Sequence, residues 1–183
     1  MDDRTIPRGV AAVDSGQATV HFDGACEPPR GGGVATYGFV VQGPGLYHEG
    51  GGLAVAPHAP HATNNVAEYV GAICALEWLS GQGFRGAVTI IGDSQLVIRQ
   101  MQGEYRVRAS HLEAYHERLT QLGRAFERVE YRWVRREANR RADELSKIAL
   151  EEARAQIGQG TERAATEELP DAGLSDGRTD DPE

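Results

Sequence analysis

Four acidic residues stand where a charge is expensive or where a ligand is expected: Asp23, Glu68, Asp93 and Asp143. Asp23 lies in "HFDGACEP", within an apolar stretch that reads as a strand, and an uncompensated charge there costs several kcal/mol. Glu68 closes "TNNVAE" in the first turns of a helix. Asp93 ends the apolar strand "AVTIIGD", and Asp143 lies four residues past Asn139 at the start of another helix. In open α/β sheets, ligands gather at the carboxyl ends of parallel strands and the helix N-termini beside them. Three of the acids hold such places, and Asp23 sits in the strand expected at the sheet centre.

If they converge, the four carboxylates repel one another and titrate upward unless hard cations sit among them. Oxygen-only donors suit Mg²⁺ or Mn²⁺ rather than zinc. Two such ions about 4 Å apart activate a water and stabilise a leaving oxygen at a phosphodiester. Taken singly, Asp93 and Asp143 also fit as helix-terminus acids and Glu68 as a solvated helix residue. Asp23 has no such ordinary role.

The elements that must bring these residues together follow from periodicity and turn chemistry. Strands are expected at about 18–25, through "VATYGFVV" and near "LYHEGGGLAV", with short connections that suit antiparallel neighbours. A helix follows "PHAPHATNN", capped by Thr63 or Asn64 and stopped at Gly81 and Gly83. After the buried strand come a helix in "SQLVIRQMQ" and another opened by a Ser110–Glu113 capping box. The strand "RVEYRWV" and a last helix with Asn139 as cap complete the order β-β-β-α-β-α-α-β-α. This predicts an α/β fold: a five-stranded mixed sheet flanked by helices, strands 1–3 antiparallel and strands 1, 4 and 5 parallel.

Composition sets the wider frame. The 183 residues carry a net charge of −8 and are 40% hydrophobic, which suits one globular domain. Residues 155–183 hold eight acids and two arginines, so most of the acidity is in the tail. Residues 99–147 hold 12 bases against 8 acids, compatible with a phosphate-binding face. The acidic start lacks a signal peptide's basic and apolar regions, and no apolar run is long enough to span a membrane. Two cysteines, Cys26 and Cys74, fit a reducing, cytoplasmic compartment. The expected organisation is a flexible segment at 1–16, a catalytic domain at 17–154 and a disordered acidic tail at 155–183.

At "DGACEP", "TNNVAE", "GDSQLVI" and "ANRRADELS" the chain resembles a type 1 ribonuclease H, with all four blocks in family order over about residues 17–154. The resemblance implies a ribonuclease H-like fold and endonucleolytic hydrolysis of the RNA strand of an RNA–DNA hybrid, leaving 5′-phosphate and 3′-hydroxyl ends. It also implies roles for the acids. Asp23 would bridge two Mg²⁺ ions, with Mn²⁺ as a substitute. Asp143 would join it on the ion that generates hydroxide, and Glu68 and Asp93 on the ion at the departing 3′ oxygen. Asn64, Asn65 and Gln95 match the family's minor-groove positions, where amides can sense the 2′-hydroxyl. The backbone of Gly24, Ala25 and Cys26 matches the contact to RNA near the cut. No membrane partner is expected, and the chain is expected to act as a monomer.

Two departures stand out. Many members carry a histidine in the loop before the last helix; here "VRREANRRAD" has none, and Arg135, Arg136 or Glu137 are the candidates to replace it. The extra basic helix of some members is also missing, so a compact, archaeal-like variant is expected, binding its hybrid through arginines such as Arg106, Arg108, Arg135 and Arg136. The alternatives are an integrase- or resolvase-like nuclease acting on DNA, activity on RNA duplexes, and a hybrid-binding module without catalysis. The first would normally use three acids without the "TNN" block, and the last would normally have lost an acid. His58 and His61 have metal-like spacing, but Cys26 and Cys74 are distant as further ligands.

Overall fold

The computed structural model describes residues 16–28 and 32–167. Strands β1 (Gln17–Glu27), β2 (Val34–Gly43) and β3 (Leu46–Leu53) are followed by α1 (Asn64–Gly81) and β4 (Ala87–Gly92). Then come α2 (Gln95–Met101), α3 (Ser110–Gly123), β5 (Arg128–Trp133), a short 3₁₀ turn at Arg136–Ala138 and α4 (Arg140–Glu167). The sheet order is β3-β2-β1-β4-β5. β2 runs antiparallel to both β1 and β3, whereas β4 lies parallel to β1 and to β5. This is the expected mixed sheet, with β1 at its centre.

The two-residue period of β1 divides its side chains between the faces. Ala18, Val20 and Phe22 enter the main core with Tyr69, Leu76, Ile90, Ile98, Leu112 and Leu119. His21 and Asp23 instead meet Asn139 and Ser146, at the start of α4. α1 is buried along much of its length, so it reads as apolar nearly all round. β4 is buried at every position but its first, as its unbroken apolar run requires.

Two glycines allow the close approaches that build the site. A Cβ on Gly24 would lie 2.5 Å from the Glu68 backbone nitrogen, and one on Gly38 would lie 2.4 Å from that of Ser146. Gly38 is paired with Asp23 across β1 and β2. The missing side chains let α1 close on one face of the central strands and α4 on the other.

Several expectations change. α4 continues to Glu167, so residues 155–167 are helical rather than part of a disordered tail. The expected tail's remainder, 168–183, and residues 1–15 of the expected flexible segment lie outside the described residues. Gly16, also assigned to that segment, accepts a hydrogen bond from the Ala87 amide through its carbonyl. α3 is capped by Ala109 with no side-chain hydrogen bond, so the Ser110–Glu113 capping box does not form. Thr63, not Asn64, caps α1 by accepting from the Val66 amide at 3.3 Å. Among the described residues, no helix is long and apolar enough to cross a membrane.

Candidate active site

All four acids line one cleft of about 350 Å³, together with Gly24, Ala25, Cys26, Asn64, Arg136, Ser146 and Lys147. Four elements supply the carboxylates: β1 carries Asp23, α1 carries Glu68, the end of β4 leads into Asp93, and the first turn of α4 holds Asp143. A larger groove of about 830 Å³ shares Asn64 with the cleft and is lined also by Asn65, Tyr105, Arg106, Arg108 and His111. Gln95, at the first position of α2, and Arg135 are both exposed, and neither lines either cavity.

Each carboxylate has its own protein partners. Ser146 Oγ lies 2.8 Å from Asp23 Oδ2. Ser94, the N-cap of α2, donates its hydroxyl to Glu68 Oε2 at 2.6 Å, and Asn64 Nδ2 donates to Glu68 Oε1 at 2.9 Å. Asn139 Nδ2 donates to Asp93 Oδ1 at 2.7 Å, and Trp133 Nε1 donates to the Asp93 carbonyl at 3.0 Å. Asp143 is paired with Arg136 and, at 2.6 Å, with Lys147. Asn139, Ser94, Ser146 and Lys147 escaped the sequence reading as site residues. In the sequence Asn139 reads as a helix cap, and its place four residues before Asp143 is the one local signal of a site role.

The electrostatics divide the four acids. Burial pushes the Asp23 carboxyl up to about 6; Ser146 opposes the rise, while the charges of Asp93 and Asp143 add to it. Burial likewise drives Glu68 up to about 8, opposed by Ser94 and Asn64 and reinforced by Asp23 and Asp93. Burial would raise Asp143 too, but hydrogen bonds and charges from Lys147 and Arg136 outweigh it and hold that carboxyl below its usual range. Among the described residues, basic side chains form ion pairs with Asp143 but with neither Asp23 nor Glu68.

That imbalance and the all-oxygen donor set fit hard divalent cations. Among the described residues, no three His, Cys, Asp or Glu side chains are closed round one point as a ready-made cage. The carboxylates are instead held by protein donors.

A central strand crossed by antiparallel neighbours on one side and parallel ones on the other, with acids at the strand ends and helix starts, defines the ribonuclease H-like class. The Reverse transcriptase-like family matches residues 22–149, and the chain belongs to that family. Its relatives agree. Ribonuclease HI of Halobacterium salinarum is 33% identical over 138 residues, covering 75% of this chain and 66% of that protein. The crystal structure of RNase H1 from that archaeon matches with a TM-score of 0.65 at 36% identity, over 75% of this chain and 99% of the other. The bifunctional protein Rv2228c of Mycobacterium tuberculosis is 38% identical over 92 residues; the match spans 50% of this chain but only 25% of that longer protein. The structure of its N-terminal RNase H domain gives a TM-score of 0.68 at 31% identity, covering 78% of this chain and 99% of that one. A third neighbour, LC11-RNase H1 in complex with an RNA/DNA hybrid, gives 0.65 at 30% identity over 74% and 98%.

Proposed function

We propose that this chain is an endonuclease that hydrolyses the RNA strand of RNA–DNA hybrids, leaving 5′-phosphate and 3′-hydroxyl ends. The carrying observation is the single cleft lined by Asp23, Glu68, Asp93 and Asp143. A neighbour of similar fold bound to an RNA/DNA hybrid supports the substrate class. Asp23, Glu68, Asp93 and Asp143 would hold two Mg²⁺ ions, or Mn²⁺ in their place. When bound, such ions supply the positive charge that favours a hydroxide nucleophile and a departing alkoxide at a phosphodiester.

The chain's own groups do the rest. Glu68 is kept from turning by Ser94 and Asn64, and Asp93 by Asn139. Arg136 and Lys147 neutralise Asp143 and compete with a cation for it. Asn64 stands where the cleft meets the larger groove, so its amide can meet a ribose 2′-hydroxyl beside the reacting phosphate. Arg106 and Arg108 offer the groove positive charge for phosphates. The backbone from Gly24 to Cys26 lines the cleft beside Asp23, where it can contact the RNA strand.

A labelled RNA–DNA hybrid, an RNA duplex and a DNA duplex, each with Mg²⁺, Mn²⁺ or chelator, test this reading. Internal cuts in the hybrid's RNA with either metal and none with chelator are expected. Asp93→Asn should abolish cleavage while hybrid binding and folding persist. Cleavage of the DNA duplex alone, or an Asp93→Asn variant that cuts at a comparable rate, would reject it.

A further inference from the structure

Asn139, the residue before α4, is 1% exposed, and both polar atoms of its side chain are engaged. Its Nδ2 donates to the Phe22 carbonyl at 2.8 Å and to Asp93 Oδ1 at 2.7 Å, while Oδ1 lies 3.2 Å from His21 Nδ1. Its backbone carbonyl accepts from the Asp143 amide at 3.1 Å. One residue therefore touches the backbone next to Asp23, the carboxylate of Asp93 and the backbone of Asp143. A helix cap turns its side chain toward the amides of the first turn. This one turns away, toward the strands and the acid.

We propose that Asn139 is a positioning residue of the reaction. By holding one oxygen of Asp93 it fixes the direction in which the other oxygen meets a divalent ion, and it sets the spacing of Asp93 from Asp23 and Asp143. The inference rests on the nuclease reading for its kinetic consequences, but its effect on ion binding stands apart from any substrate. Without the amide donor, Asp93 loses its fixed orientation. The groove and Asn64 are untouched, so hybrid affinity is preserved. Partners that orient metal ligands typically contribute about 10- to 100-fold in metal affinity or activity.

The test compares the full chain with Asn139→Ala and Asn139→Ser, using Leu119→Ala in the buried core of α3 as a comparator. Three quantities are read: the melting temperature, Mn²⁺ affinity by calorimetry without substrate, and kcat and KM on a hybrid, all below the melting point of each variant. Both Asn139 variants should lose about 10- to 100-fold in kcat and about 10-fold in Mn²⁺ affinity, with KM within about twofold of the parent. Leu119→Ala should melt earlier yet keep the parent's Mn²⁺ affinity and kcat. Asn139 variants that behave like Leu119→Ala, or that fail to fold at all, would overturn the proposal and make Asn139 structural only. A parent chain that leaves the hybrid intact, while its Mn²⁺ affinity still depends on Asn139, would reject the substrate reading and uphold this one.

Discussion

Ser146 Oγ lies 2.8 Å from Asp23 Oδ2, joining residues 123 positions apart across the interface of α4 and the central strand. The same oxygen lies 2.9 Å from the Asp143 carbonyl. A hydroxyl has one hydrogen, and a carboxylate is the stronger acceptor, so the hydrogen belongs to Asp23 when that acid is ionised. Removing it takes away the largest influence that lowers the Asp23 pKa. In Ser146→Ala, carboxyl titration by NMR in metal-free protein should place Asp23 above its parent value of about 6. An unmoved Asp23 titration would show that the bond does not govern this acid.

Metal-free stability should fall as pH rises. Asp23 at about 6 and Glu68 at about 8 both lie above their reference values of 3.8 and 4.5. A raised acid contributes stability that is fully present below its unfolded pKa and lost as pH climbs through the folded value. Asp143 has the opposite sign, but its contribution is lost only as pH falls below 3.8. The melting temperature in chelator should therefore decline from about pH 5 to about pH 8.5, and Mg²⁺ should restore most at the alkaline end. Glu68→Gln should flatten this profile and stabilise the metal-free protein at alkaline pH by about 1–3 kcal/mol, while abolishing cleavage. A variant with the parent's slope would remove Glu68 as its source.

Gly24→Ala should disable the site before it unfolds the domain. The added methyl would meet the Glu68 backbone nitrogen and the Ala67 side chain within 3 Å, forcing α1 away from β1. Overpacking of this kind costs typically about 1–3 kcal/mol. Because the displaced backbone carries Glu68, Mn²⁺ affinity and kcat should drop beyond what the lost stability explains. A folded variant with parental Mn²⁺ affinity would contradict this.

Hybrid binding should weaken steeply with salt, since arginines on the groove meet phosphates through counterion release. Arg106→Ala should lower affinity across hybrid sequences and reduce the slope of log K against log salt by about one. An unchanged slope would place Arg106 outside the interface.

Much of this was legible along the chain. Element order followed from period-two and helical patterns, and the four acids were visible because strand ends and helix starts are local features. The TNN block pointed to α1's first turn, although Thr63 rather than Asn64 proved to be its cap. The end of α4 was misread: Gly158 and Gly160 lower helix propensity in "AQIGQG", yet the helix runs through both to Glu167.

The sequence by itself determined the order of the elements and that Asp23 needs a compensating partner, because a charge within an apolar strand has few local remedies. Only the tertiary structure decided what stands beside each acid. Ser146 on Asp23, Ser94 on Glu68 and Asn139 on Asp93 are contacts between distant segments, and they form where Gly24 and Gly38 let helices approach the sheet. Local pattern places a residue on an element. The partner across the cleft depends on how closely two backbones can pack.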